Sequence, residues 1–120
     1  MLTEYTTPGS IEVRSNETLY SLLTQRIERT GEDTVIATRK TGPGRWEQIT
    51  TGEFHRMVLA AAKGFIAFGI RKGDAVSIFS PTRWEWGVLD FALAAIGAVN
   101  VPIYDTDSAP QAERIINDST

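Results

Sequence analysis

Apolar residues fall in blocks near the middle of the chain, and these blocks predict a strand, a helix and a second strand. The first strand is expected at residues 75–80, the helix at 83–96 and the second strand at 98–103. Two apolar strands joined by a helix form a βαβ unit, in which the strands run parallel. Few polar residues interrupt the helix, so we expect it to be buried on most sides.

The N-terminal half of the chain predicts a helix followed by a β-hairpin. Thr18 fits the N-cap of a helix that extends to about residue 29, with leucines and an isoleucine on one face. Residues 34–40 and 45–49 have the pattern of strands, and the intervening Thr-Gly-Pro-Gly sequence is typical of a turn. The two strands are therefore expected to pair in antiparallel fashion.

Three helix starts have the spacing of a capping box, in which a hydroxyl residue precedes Glu or Gln by three positions. They belong to a helix over residues 51–68 that ends at Gly69, to the central helix, and to a last helix over residues 109–117. The pairs are Thr50 with Glu53, Thr82 with Glu85, and Ser108 with Gln111.

These elements place the chain in the α/β class, as a partial N-terminal subdomain with a parallel βαβ unit, an antiparallel hairpin and flanking helices. A two-stranded parallel sheet needs cover on both faces and further strands for stability. We therefore expect residues 1–17 to be an arm or linker and residues 18–120 to be the truncated N-terminal part of a larger domain. The alternative is a small complete α+β domain that dimerises to cover its sheet.

Composition narrows the class of protein. The chain has 120 residues, a net charge of −3 and mixed acidic and basic residues, which gives no basic patch for nucleic acid or anionic lipid. It has no cysteine, which excludes disulfides, thiolate metal sites and a cysteine nucleophile and fits a reducing compartment. The longest apolar stretch, residues 84–103, is too often interrupted by polar residues and proline to predict a transmembrane segment, and the first ten residues do not resemble a signal peptide.

The polar residues of the pattern do not form a recognisable reaction centre. His55 is interpreted as a partly exposed helix residue, Glu85 as a capping residue, and Asp90 as a buried, hydrogen-bonded residue. No carboxylates have the spacing of metal ligands, and no glycine-rich phosphate-binding loop occurs. We therefore predict no catalytic, cofactor-binding or metal residue in this chain.

The turn before the central helix is the one place where an anion could be met. Ser80, Thr82 and Arg83 stand at the predicted helix N-terminus, but helix capping and a surface arginine are the favoured interpretation. Trp84 and Trp86 are expected on different sides of the helix, which favours packing over a single stacking platform.

Several short motifs, taken in order, resemble the N-terminal part of AMP-forming acyl-CoA synthetases of the adenylate-forming superfamily. Each is weak alone, and their order and spacing carry the resemblance. They are residues 46–54 (WEQITTGEF), 69–80 (GIRKGDAVSIFS), 80–86 (SPTRWEW), 94–104 (AAIGAVNVPIY), and 105–111 with Asp118 and Ser119.

The sequence VPIYDT at residues 101–106 looks most like the long-chain fatty acyl-CoA synthetase branch, whereas Thr82 replaces the family's usual Asn. The resemblance implies a full-length ligase that uses ATP, Mg²⁺ and CoA to convert a fatty acid to an acyl-adenylate and then to a thioester. The family's triphosphate loop and C-terminal domain are absent from this sequence, so no family catalytic residue transfers to any position here. The resemblance therefore implies an inactive, structural fragment that binds none of these cofactors.

Two other functions remain open from the sequence. The chain could be a free-standing α/β interaction module that self-associates through its apolar helix and sheet edge. A Rossmann-like nucleotide binder is a third reading, for which we expect no saturable heat on titration with ATP. For the ligase parent we expect a cytoplasmic location, with peripheral membrane attachment left open, and we expect the fragment to self-associate.

Overall fold

The computed structural model describes residues 4–9 and 12–119. Residues 12–18 form no helix or strand and are mostly exposed to solvent. The assignment of residues 1–17 as an arm or linker, which falls partly outside the described residues, stays a prediction. The first helix, α1, is Leu19–Thr30.

Helix α1 begins at a reciprocal cap. The Ser21 amide donates to the Thr18 hydroxyl (3.0 Å) and the Thr18 amide donates to the Ser21 hydroxyl (2.8 Å). Thr18 is thus the N-cap, as predicted, because its side chain satisfies an amide that has no partner inside the helix. The helix ends at Gly31, whose φ of 81° favours glycine.

The hairpin consists of β1, Val35–Gly42, and β2, Arg45–Thr50, paired antiparallel as predicted. Its base joins the rest of the fold through Thr51, which is fully buried. The Thr51 hydroxyl donates to the Thr34 carbonyl oxygen over 2.9 Å, and the Thr51 amide donates to the same oxygen over 2.7 Å. A buried hydroxyl with satisfied hydrogen bonds avoids the desolvation cost that an unpaired one would carry.

Helix α2, Thr51–Phe68, begins directly after β2. The Glu53 amide donates to the Thr50 hydroxyl (3.2 Å), and the Thr50 amide donates to the Glu53 carboxylate (2.9 Å). The helix ends at Gly69 in the left-handed conformation. The predicted capping box and the predicted terminal glycine are both confirmed.

The predicted βαβ unit is confirmed as β3, Ala75–Phe79, α3, Trp84–Ile96, and β4, Val99–Ile103. The two strands are parallel and in register, with Ala75 opposite Val99 and Phe79 opposite Ile103. A last helix, α4, Ala109–Asp118, begins at Ser108, whose amide donates to the Gln111 side chain over 2.8 Å. The α/β class predicted from the sequence is confirmed.

The main core lies between α1, α2, α3 and the base of the hairpin. Phe54 of α2 contacts Phe91 of α3 edge to face, with 5.7 Å between ring centroids and 87° between ring planes. This arrangement suits the quadrupoles of two aromatic rings. The fully or almost fully buried members of the core are Leu23, Ile49, Phe54, Val58, Ala62, Val88 and Ala92.

Helix α3 is less covered than its composition suggested. Among its residues Val88, Ala92 and Leu93 are buried, while the other ten are half-buried. The expectation of burial on most sides is therefore met only in part, since no residue of α3 is exposed but most are half-buried. One face of the parallel sheet is also open, since Phe79 is 56% exposed and Val99 is 52% exposed.

Candidate functional site at the carboxyl ends of the parallel strands

A cleft of about 310 Å³ opens where β3 and β4 end and α3 begins. In α/β sheets the carboxyl ends of the strands are the usual place for a ligand, because the loops that follow the strands diverge there. The cleft is formed by the loop after β3, the first turn of α3, and the end of β4 with its following turn. Its lining residues are Ser80, Thr82, Arg83, Trp86, Pro102, Ile103, Tyr104 and Asp105.

Two aromatic side chains and one guanidinium give the cleft its chemical character. Trp86 lies on the first turn of α3, and Tyr104 follows β4 and is largely exposed. The turn after Tyr104 is closed by its amide, which donates to the Asp107 carboxylate over 3.2 Å. Arg83 and Asp105 complete the site, so the cleft combines aromatic surface with one cationic and one anionic side chain.

The carboxylate of Glu85, two residues after Arg83 in the sequence, fixes the position of the Arg83 guanidinium. The Arg83 Nε–H donates to Oε2 of Glu85 over 2.9 Å, and Nη2 donates to Oε1 over 2.6 Å. This is a two-point contact that sets the orientation of the guanidinium plane as well as its distance. The same hydrogen bond raises the pKa of Arg83 and lowers the pKa of Glu85.

The capping box predicted for Thr82 and Glu85 is wrong. The N-cap of α3 is Arg83, which makes no side-chain capping bond. Because the helix begins one residue later than the spacing required, Thr82 precedes the cap and Glu85 lies at the second helical position. The carboxylate therefore reaches Arg83 instead of the amide of Thr82. The helix gives up a cap that is typically worth about 1 kcal/mol.

Because Thr50 caps α2 and Thr82 does not cap α3, replacing each of them with alanine should have different effects on stability. Thr50→Ala should lower the free energy of unfolding by about 1 kcal/mol, because it removes a formed capping bond. Thr82→Ala should change it by less than about 0.5 kcal/mol, since it removes an exposed side chain that does not cap the helix. Urea unfolding followed by circular dichroism measures both, and equal losses would contradict the assignment of the caps.

A second groove lies on the other side of the α3 N-terminus, against the hairpin. The Arg39 guanidinium lies over the Trp84 ring, 5.5 Å from its centroid, and its Nε is 2.8 Å from the Glu47 carboxylate. Trp84 thus faces the hairpin while Trp86 lines the cleft. The prediction that the two tryptophans lie on different sides of the helix is confirmed.

Other residues considered from the sequence lie away from the cleft. His55 is half-buried, and its Nε2 is 3.0 Å from the Tyr20 hydroxyl, so it links α2 to α1. Asp90 accepts a hydrogen bond from the Asn100 amide over 2.7 Å between α3 and β4. The interpretation of His55 as a partly exposed helix residue agrees with its contacts, and Asp90 is hydrogen-bonded as expected but half-buried instead of buried. Trp86 and Tyr104 were not predicted as candidate site residues, although the position of Tyr104 directly after β4 was a usable signal.

Within residues 4–9 and 12–119, no group of three His, Asp or Glu side chains could hold a metal ion. Over these residues, none of the helices combines the length and the apolar character needed to cross a bilayer.

Comparison with models of known protein families shows which family this chain belongs to. The family model described as AMP-binding enzyme matches residues 23–120, which is most of the chain. The chain belongs to this family. The resemblance drawn from the sequence motifs is thereby confirmed.

Relatives of known name agree with the assignment. The chain is 40% identical over 116 residues to the long-chain-fatty-acid–CoA ligase FadD15 of Mycobacterium bovis, covering 97% of this chain and 19% of that protein. It is 30% identical over 103 residues to the peroxisomal long chain acyl-CoA synthetase 7 of Arabidopsis thaliana, covering 83% of this chain and 15% of that protein. The chain therefore spans less than a fifth of the length of these relatives.

Solved structures share the fold. The N-terminal domain of FACL13 from Mycobacterium tuberculosis superposes with a TM-score of 0.73 at 28% identity, covering 86% of this chain and 25% of that one. A fatty acyl-adenylate ligase from L. pneumophila superposes with a TM-score of 0.74 over 85% of this chain and 18% of that one, and its 20% identity supports the fold alone. The arrangement of hairpin, helices and parallel strands is thus that of the N-terminal part of such enzymes.

Proposed function

We propose that residues 18–120 are the N-terminal part of the AMP-binding domain of an ATP-dependent long-chain fatty acid–CoA ligase. The observation that carries the proposal is the 40% identity to a long-chain-fatty-acid–CoA ligase over 97% of the chain. The full-length protein would join a fatty acid to AMP with release of pyrophosphate and then transfer the acyl group to the thiol of CoA. Long-chain preference also rests on the VPIYDT sequence at residues 101–106.

The residues of this chain do not fit ATP with Mg²⁺ as resident partners. Residues 4–9 and 12–119 contain no cluster of metal ligands, and the sequence has no glycine-rich loop to surround a triphosphate. We therefore assign ATP, Mg²⁺ and CoA binding in the parent mainly to parts outside this chain. The contribution of these residues is the α2–α3 core, the parallel strands and one wall of the strand-end cleft. A cytoplasmic location of the parent, with or without peripheral membrane attachment, stays a prediction.

The proposal is tested on the full-length protein that contains these residues. Purified enzyme is supplied with ATP, Mg²⁺ and CoA and with acids from acetate to palmitate, and the thioester and AMP are measured by chromatography. We expect AMP and thioester in equal amounts, with the highest kcat/KM for acids of long chain. Preference for acetate would overturn the long-chain assignment, and ADP in place of AMP would overturn the adenylate mechanism.

A self-associating module is the second candidate, because one face of the parallel sheet is uncovered. Phe79 and Val99 lie on this open face, by the register of β3 against β4, and both are more than half exposed. Exposed apolar sheet surface beside unpaired strand edges favours association between chains. In the ligase parent, later segments would cover the same face.

The isolated 120-residue chain should therefore form dimers or larger species at concentrations of tens of micromolar. Phe79→Ser together with Val99→Ser should shift it toward the monomer, because the apolar surface is reduced. Phe68→Ser is the matched control, since Phe68 is 88% exposed at the end of α2. Multi-angle light scattering reads the mass, and a monomeric wild-type chain would contradict the prediction.

A further inference from the structure

We propose that Glu85 is a positioning residue, which holds the Arg83 guanidinium in the wall of the strand-end cleft so that Arg83 can bind the anionic oxygens of a substrate. The inference rests on the proposed ligase function. From the sequence alone, Glu85 is interpreted as a capping residue and Arg83 as a surface residue.

The geometry of the pair favours orientation over stability. Both bonds from Arg83 to Glu85 are short, and they use the Nε edge and one Nη of the guanidinium. The remaining N–H groups of Arg83 stay available to another acceptor. The pair is partly exposed, with side-chain exposures of 57% for Arg83 and 36% for Glu85. Such pairs contribute little to folding stability.

The local sequence gives up a helix cap where this pair forms. Elsewhere the chain uses the residue at the third helical position for capping, as Ser21, Glu53 and Gln111 do. At α3 the third helical position is Trp86, which does not cap the helix, and the carboxylate of Glu85 at the second position is bonded to the N-cap residue Arg83. Departures from a local rule without a gain in stability concentrate at functional sites.

Arg83 lines two grooves, so its guanidinium needs a partner that fixes which of them it occupies. It lines the strand-end cleft together with Trp86 and Tyr104, and it also lines the groove against the hairpin. Arg39 already supplies a cation to that second groove and interacts electrostatically with Glu85. We infer that Glu85 sets the position of Arg83 between these two grooves.

The class of ligand follows from the chemistry of a fixed guanidinium beside two aromatic rings. A planar, permanently charged guanidinium is suited to phosphate and carboxylate oxygens. ATP, CoA and the fatty acid all carry such oxygens, so the shared chemistry is an anionic oxygen. Which of the three sources meets Arg83 is an outcome of the experiment.

The test is a double-mutant cycle in the full-length protein. Glu85→Gln should raise the KM for one of ATP, CoA or the fatty acid by roughly tenfold, with kcat changed less than about twofold, because ground-state and transition-state binding are lost together. Arg83→Gln should raise the same KM at least as much. The double variant should equal Arg83→Gln, since Glu85 acts through Arg83. Glu85→Asp should restore part of the loss.

The matched control is Glu47→Gln, which breaks the similarly short pair with Arg39 on the hairpin side. It should leave all three KM values unchanged. The inference is overturned if Glu85→Gln changes no KM, if its effect multiplies with that of Arg83→Gln, or if Glu47→Gln has the same effect. Thermal unfolding of each variant shows that a changed KM does not come from a loss of folded protein.

Failure of the proposed function is separable from failure of this inference. If the wild-type protein forms no acyl-CoA from any acid, the ligase assignment fails. A crystal structure of the Glu85→Gln variant then reads the position of Arg83 without turnover. An Arg83 that has left the cleft wall supports the positioning role, and an Arg83 in its original place overturns it.

Discussion

Phe54→Ala is expected to lower the free energy of unfolding by about 3–5 kcal/mol. Phe54 is 5% exposed and contacts Phe91 edge to face in the main core. It also lies against Gly87 of α3, where an added Cβ would be 3.7 Å from the end of its ring. The substitution would therefore leave a cavity between α2 and α3 that neither helix can fill without moving. Urea unfolding of the isolated chain, followed by tryptophan fluorescence and circular dichroism, measures the loss.

The same helix provides a control of the same chemistry. Phe68 is 88% exposed, so Phe68→Ala removes an equal side chain from solvent and not from the core. Its effect should stay within about 0.5 kcal/mol. Similar losses for the two variants would mean that α2 does not pack on α3 through Phe54.

The elements of this fold could be predicted because their signals are local. The hairpin depends on alternation and a Gly-Pro-Gly turn, and α2 begins and ends at residues whose caps depend on neighbours in sequence. The parallel direction of β3 and β4 follows from the length of the crossover between them. Each of these inferences needed only the order of residues, and the structure confirms each.

Burial and the site were less predictable, because they depend on contacts between distant segments. The apolar sequence of α3 suggested burial on most sides, whereas this chain supplies cover mainly through α1, α2 and the hairpin. The cleft joins residues near 80 to residues near 104, which only the parallel pairing brings together. The prediction that Thr82 caps α3 was wrong because α3 begins one residue later than the spacing of Thr82 and Glu85 required.

The second large effect is the expected loss of catalysis in the isolated chain. The 120-residue chain, given ATP, Mg²⁺, CoA and palmitate, should form no acyl-adenylate or acyl-CoA above the uncatalysed rate. The full-length protein should form both under the same conditions. Enzymes typically accelerate their reactions by at least about 10⁶-fold, so the difference should span the whole range of the assay. Radiolabelled palmitate resolved by chromatography detects either product.

The physical reason is the charge that adenylate formation must neutralise. Attack of a carboxylate on a triphosphate brings together two anions, and the transition state needs a metal ion or several fixed cations to stabilise it. Arg83 is the cation that lines the strand-end cleft, and its guanidinium is already paired with Glu85. Residues 4–9 and 12–119 provide no cluster of metal ligands that could add to it. Circular dichroism must show that the tested chain is folded, and product that saturates with ATP and requires Mg²⁺ would refute the inactivity of the fragment.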